Sequence, residues 1–175
     1  MSESAPSHHT RKTGRLMLII AWLVGMLLLT QMFGHWERRQ QNPNQSPLSQ
    51  RAVDGRIEVA LHRNRQGHYL TQGRINGEAV TFLLDTGATD IVVPAALAQE
   101  LGLQHLGRGY ASTANGVVEI ERTELESVSI GDIILYNVPA SINPGMRGED
   151  EVLLGMSALR QLDFAQRDGV LTLTQ

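Results

Sequence analysis

Two rhythms divide the chain. Leu16 to Phe33 (LMLIIAWLVGMLLLTQMF) is apolar without a single charge. From about Gly55 onward, apolar residues recur at alternate positions, the period of strands that bury one face. Arg56 to Leu61 and Tyr69 to Ile75 alternate in this way, and Asn76-Gly77, a two-residue hairpin signal, leads into Val80 to Leu84. Pro94 is placed to open a short helix over Ala95 to Leu101, with Gly102 at its C-terminal cap and Leu103 folding back. Asn115-Gly116 centres a second hairpin within Tyr110 to Ile120, whose residues are small and polar. Leu125 to Ile130, a Gly131-Asp132 turn and Ile133 to Ile142 continue the strand rhythm, and Asn143 to Glu151 is a loop. Val152 to Leu159 leads three apolar residues into Gly155, with a helical stretch from Ser157 to near Leu162. Asp168-Gly169 then turns Phe164-Ala165 back against Val170 to Leu173.

At helical rise the apolar run spans roughly 27 Å, close to the hydrocarbon thickness of a bilayer. It is long for a cleaved signal, and Gly34-His35-Trp36-Glu37 is a poor cleavage site, so an uncleaved transmembrane helix is expected. Arg11, Lys12 and Arg15 precede the span, and Arg38 and Arg39 follow it beside Glu37, a slight bias toward a cytoplasmic N-terminus. The expected organisation is a cytoplasmic tail over 1–15, a single span over 16–33, a linker over 34–54 and a folded domain over 55–175. That places the chain in a bacterial inner membrane with its C-terminal domain in the periplasm. Gln40 to Gln50 (QQNPNQSPLSQ) has almost nothing to bury and reads as the body of the linker.

One stretch carries chemistry. In Thr81-Phe82-Leu83-Leu84-Asp85-Thr86-Gly87-Ala88-Thr89-Asp90 an apolar run delivers a carboxylate, Asp85, into a turn of small residues, and Ile91-Val92-Val93 begins at once. A carboxylate at a buried strand end needs hydrogen bonds, a partner charge or a proton. Thr86, Gly87 and Ala88 offer backbone N–H groups and a hydroxyl for that purpose. Taken alone, Asp-x-Gly is most often an ordinary hairpin turn.

Composition narrows the chemistry. The 175 residues are 42% hydrophobic and 19% charged, a globular balance, and contain no cysteine, which excludes disulfides, thiolate metal sites and cysteine nucleophiles. From Asn42 onward ten Arg and no Lys face sixteen Asp and Glu, which disfavours a nucleic-acid partner. Gly155-Met156-Ser157-Ala158-Leu159 lacks the second glycine of a nucleophile elbow, and the six His show no zinc-binding spacing, so neither a metal nor a cofactor is expected.

A strand ending in Asp-Thr-Gly, a short helix, a polar hairpin and an apolar-apolar-Gly segment before another short helix resembles the order in retroviral-type, or retropepsin-like, aspartic proteases. The resemblance is carried by Leu83-Leu84-Asp85-Thr86-Gly87-Ala88 and Leu153-Leu154-Gly155 and covers about Arg56 to Leu173. It implies an all-β fold, a closed acid-protease β-barrel with one or two short helices after the membrane span. It further implies that Asp85 is the catalytic carboxylate, with Thr86, Gly87 and Ala88 in its loop. Thr86 would bond across to a partner loop, and Leu153, Leu154 and Gly155 would support the loop from beside and behind. The hairpin, with Ser112, Thr113, Ala114, Asn115 and Gly116, would be the flap. Asp90 is expected to be structural or substrate-facing.

Peptide hydrolysis by carboxylates alone needs one to take a proton from water and another to give one to the carbonyl. With a single Asp-Thr-Gly, the expectation is a membrane-anchored endopeptidase active as a homodimer, acting on peptide or protein substrates. The resemblance also implies interleaved terminal strands in the dimer, for which Leu171 to Gln175 is a short candidate. The walls of the cleft are left unassigned, because the segment from Gly102 to Gly109 carries no clear apolar pattern. The alternative is a non-catalytic barrel of the same fold that binds peptides or assembles a membrane complex.

Overall fold

The structure is a computed structural model and describes residues 8–113, 116–146 and 150–175. Ala114 and Asn115 of the expected flap tip lie outside the described residues, as do residues 147–149. The chain forms two units, which meet between Arg39 and Gln40.

The first unit is the helix α1, His8–Gln41, whose last two residues enter the second unit. Gly14–Gly34 within it is long and apolar enough to cross a membrane. The helix begins inside the polar segment expected as a tail and runs beyond Phe33, because Arg, Lys, Glu and Gln are good helix formers even without an apolar face.

The second unit is mostly β. Its strands are β1 (Ser49–Arg51), β2 (Ile57–His62), β3 (Leu70–Ile75), β4 (Glu78–Leu84), β5 (Ile91–Pro94), β6 (Gly107–Thr113), β7 (Gly116–Ile130), β8 (Ile133–Asn143), β9 (Glu151–Leu154), β10 (Asp163–Arg167) and β11 (Val170–Thr174). Two short helices interrupt them, α2 (Ala95–Glu100) and α3 (Met156–Leu159). One sheet runs β3-β4-β9-β5-β8-β7-β6, and Arg74 and Ile75 of β3 pair with Ser129 and Val128 of β7. That pairing closes six strands into a barrel, with β6 left outside as the arm of a hairpin. Closure demands close approach: a Cβ on Gly73 would lie 2.6 Å from the Phe82 ring and clash with the Ser129 carbonyl. The second sheet runs β1-β2-β11-β10.

Both sheets contribute to one core. Phe82, Ile75, Ile91, Leu125, Ile133 and Leu154 from the barrel and Val59, Leu61 and Leu173 from the second sheet are all fully buried in one cluster. The turns follow the residues that suit them. Asn76 and Asp168 adopt φ of 51° and 50° before a glycine, the left-handed backbone that Asn and Asp tolerate best and that matches the twist of tight hairpins. At the end of α2, Leu103 N–H reaches the Ala98 carbonyl and Gly102 N–H that of Gln99, a closing turn that buries Leu103.

Two sequence expectations are corrected. The segment read as linker is tied into the body. Asn44, 5% exposed, donates from Nδ2 to the carbonyls of His62 (2.9 Å) and Leu70 (2.6 Å) and accepts from His62 N–H (2.7 Å), while β1 pairs with β2. Polar residues are buried here by hydrogen-bond satisfaction, which leaves no apolar period to read. Likewise Leu171 to Gln175 is not free to interleave with a partner. β11 is paired on one edge by β10 and on the other by β2, and Gln175 exchanges backbone bonds with Ile57.

Candidate active site

β4 runs parallel to β9, Thr81 to Leu84 beside Glu151 to Leu154, and β9 meets β5 at Leu153 and Val92. The segment that links β4 to β5 is therefore folded around the end of β9. Four bonds stitch it there. Asp85 N–H donates to the Leu154 carbonyl (3.2 Å), Met156 N–H to Ala88 (2.9 Å) and Ser157 N–H to Thr89 (2.9 Å). Ile91 N–H donates to Ser157 Oγ at 3.0 Å. Only glycine fits at 155, because a Cβ would lie 2.7 Å from the Ala88 carbonyl oxygen and press still harder on that of Asp90. Leu153, Leu154 and Gly155 thus lie against the Asp85 loop, Leu154 fully buried and Leu153 half-buried.

Within the loop, Gly87 N–H donates to Asp85 Oδ1 at 2.8 Å and Ala88 N–H to the Asp85 carbonyl at 3.2 Å. Asp85 is half-buried rather than buried, because its side chain faces an open cavity. Thr86 and Gly87 are exposed and Ala88 is half-buried. One backbone N–H satisfies a fraction of what an ionised carboxylate accepts, and the rest of Asp85 is left for water or a second group.

The cavity holds about 510 Å³ and is lined from five elements and the loop. Asp85, Gly87, Ala88, Thr89 and Asp90 of the loop line it, with Val92 of β5, Leu153 of β9, and Ser141 and Asn143 of β8. Tyr110, Ala111, Ser112 and Thr113 of β6, with Ile120 of β7, complete the lining. The expected flap and the expected catalytic loop therefore face one space. At the hairpin's base His105 contacts Glu121, and across its strands Arg108 meets Glu119 at 3.4 Å. Ser112, Thr113 and Gly116 are exposed, as is Tyr110, at 79%. Sequence reading did not assign Val92, Ile120, Ser141 or Asn143 to the cleft. Their alternation marks each as facing in or out of a strand, but not which interior space it meets.

The family description gag-polyprotein putative aspartyl protease matches residues 71–161, from β3 through α3. The chain belongs to this family. The matched region holds the Asp85 loop, the hairpin and β9, the parts that enclose the cavity. Within the family's fold, a retropepsin-like aspartic protease from Rickettsia conorii superposes with a TM-score of 0.54 at 29% identity, covering 68% of this chain and 90% of that one. Two curated relatives are described as uncharacterized. One, encoded in the cobV 5′ region of a Sinorhizobium species, is 32% identical over 117 residues, 65% of this chain and 49% of its own length. The other, from Rickettsia prowazekii (strain Madrid E), is 33% identical over 107 residues, 59% of this chain and 45% of its own. The chain spans about half the length of the curated relatives it matches. The fold is that of a retropepsin-like aspartic protease.

Proposed function

We propose that this chain is a membrane-anchored aspartic endopeptidase, active as a homodimer in which Asp85 of each subunit shares one proton. The observation that carries the reading is the placement of Asp85. It is held by Gly87 N–H on a loop stitched to β9, faces a peptide-sized cavity lined also by the β6–β7 hairpin, and lies half-buried beside the exposed Thr86, which leaves a second loop access.

The chemistry requires the second subunit. An ionised carboxylate takes a proton from water as the oxygen attacks the peptide carbonyl, and a protonated one gives a proton to the carbonyl oxygen. Two carboxyl groups in contact cannot both ionise, so a pair divides these roles without help. Asp90 is a poor second member, since its loop position is fixed by Gly155 and Ile91 on the β5 side. Two-fold symmetry brings Asp85 to a second Asp85. The β6–β7 hairpin closes over the substrate and excludes water from the reacting bond. Gly14–Gly34 anchors the chain with the enzymatic unit in the periplasm, and confinement to a membrane raises the effective concentration of subunits.

The test is cleavage of a diverse peptide library by the full chain in detergent micelles, wild type beside Asp85→Asn, with oligomeric state recorded in the same samples. Wild type is expected to cut in proportion to dimer, and Asp85→Asn to be inactive with an unchanged fold. Equal cleavage by the two, or full activity in a strict monomer, overturns the proposal. A dimer that binds peptides but cuts none is the outcome that favours a binding module.

A further inference from the structure

The polar run Gln40 to Gln50 has the composition of a free linker, yet its residues are spent on the fold. Asn42 and Asn44 are buried with Pro43 exposed between them, the alternation of a strand written in polar residues. Asn44 bridges to Thr71 in parallel register, its carbonyl accepts from Gln72 N–H at 3.1 Å, and its own N–H donates to Asn42 Oδ1 at 2.9 Å. Asn64 Nδ2 donates to the Gln41 carbonyl at 3.0 Å, and Arg65 Nη1 to Gln40 Oε1 at 2.6 Å. Further along, Ser49 Oγ accepts from Asp132 N–H at 2.7 Å. The fold therefore begins at Gln40.

Only His35 to Arg39 lie between the end of the apolar span at Gly34 and that first fixed residue. As helix they cover about 7.5 Å, and fully extended no more than roughly 17 Å. A compact unit running from Gln40 to Gln175 is about 37 Å across, from a radius of gyration near about 14 Å. Covalent length alone then keeps the cleft within roughly 55 Å of the bilayer that holds the span. A free linker over 34–54 would have supplied up to about 70 Å in place of that roughly 17 Å.

An anchor gives an enzyme no advantage against a freely diffusing protein. Against a partner confined to the same membrane it raises the effective concentration, and the length of the tether decides which part of that partner can enter the cleft. We infer that the substrates are membrane-bound polypeptides, cut in the extramembrane segment next to their own span, with sites beyond roughly 55 Å from the bilayer out of reach. The inference rests on the membrane-anchored protease reading and names its substrate class.

The experiment displays one peptide, chosen from those the library shows to be cut, at three heights above a liposome that carries the full chain. Each substrate is a single-span helix continued without a break by an alanine-rich helical spacer of about 15, 45 or 90 Å, with the same peptide at its tip. The peptide free in solution, at equal bulk concentration, is the reference. At about 15 Å, cleavage is expected to be at least about ten-fold faster than for the free peptide, and at about 90 Å at least about ten-fold slower than at 15 Å. Inserting about twenty Gly and Ser residues between Glu37 and Arg38 lengthens the tether by up to about 70 Å, and should bring the tallest substrate to within about three-fold of the shortest. Amide hydrogen exchange on the full chain in micelles reads the tether without turnover, and the Asn44 N–H is expected to exchange at least about 100-fold more slowly than an unstructured amide. Equal rates at the three heights, a free peptide cut as fast as the shortest display, or an Asn44 amide that exchanges like an unstructured one overturns the inference and leaves the protease reading intact. Cleavage of no peptide, free or displayed, overturns the protease reading and the inference with it. A chain that does not float with the liposomes overturns the anchor and the inference, while cleavage of the free peptide still supports the protease.

Discussion

Substituting Gly155 by alanine tests how the Asp85 loop is held. The added Cβ would lie 2.7 Å from the Ala88 carbonyl oxygen and nearer to that of Asp90, both backbone atoms of the loop. Ordinary contact begins at 3.4 Å, so the loop and β9 must separate by at least about 0.7 Å, more on the Asp90 side. No side chain can rotate away to absorb the strain. Overpacking of this kind costs about 1–3 kcal/mol, and the upper end applies because the neighbours are main chain. For a domain of this size that lowers Tm by roughly 10 °C. The four bonds between the loop and residues 154–157 make the shift act directly on Asp85. In the proposed protease, a displacement near 1 Å in the reacting group costs on the order of 100-fold in rate. Thermal unfolding by circular dichroism and kcat/KM on a cleaved peptide, both on the full chain, read the two effects. Gly155→Ala with Tm within about 2 °C of wild type and activity within about two-fold would refute the steric account.

Three further substitutions probe other joints. Asn44→Ala removes three side-chain bonds and leaves the carbonyls of His62 and Leu70 without that donor, so a loss of about 2–4 kcal/mol is expected in chemical denaturation; a loss below about 0.5 kcal/mol would mean water replaces it. Ser157→Ala orphans the buried Ile91 N–H, and is expected to destabilise by about 1–3 kcal/mol while the amide of residue 91 exchanges faster with solvent; unchanged exchange would show that the hydroxyl is not needed. The backbone N–H and guanidinium of Arg56 hold the Asp54 carboxyl below its ordinary value. A depressed folded value contributes stability above the unfolded value, lost as pH falls through the folded one. Asp54→Asn should therefore be less stable than wild type at neutral pH and converge with it in acid, and a gap in Tm that widens in acid would contradict the sign.

The strands, the hairpins and the Asp85 loop were legible because each has a local cause. Buried Val80 and Phe82 alternate with exposed or half-buried neighbours, Asn76-Gly77 permits one tight turn, and Asp-Thr-Gly follows an apolar strand. Leu153-Leu154-Gly155 was legible for the same reason, although its parallel pairing with β4 is a long-range fact that no local pattern encodes. What escaped reading is held by polar groups or by distant partners. Asn44 sits in a run of Gln, Asn, Ser and Pro and is buried by its hydrogen bonds alone. The doubly paired state of β11 depends on β2, more than a hundred residues earlier. The cleft wall is assembled from β5, β7, β8 and β9, so Val92, Ile120 and Asn143 acquire a common address only when the barrel closes.

The seam between the Asp85 loop and β9 also sets a clock. Thr81 pairs with Glu151, seventy residues later, and the bonds that fix residues 85 to 91 come from residues 154 to 157. At about 5–20 residues per second, synthesis separates the two by roughly 4–14 s. Throughout that interval Asp85 has emerged while the groups that shape its loop have not. Closing so long a segment must precede any reward from the pairing, so the loop is completed late in folding rather than early. A growing chain therefore carries Asp85 in an unassembled form, and the finished cleft exists only after residue 157 has been added and the barrel has shut.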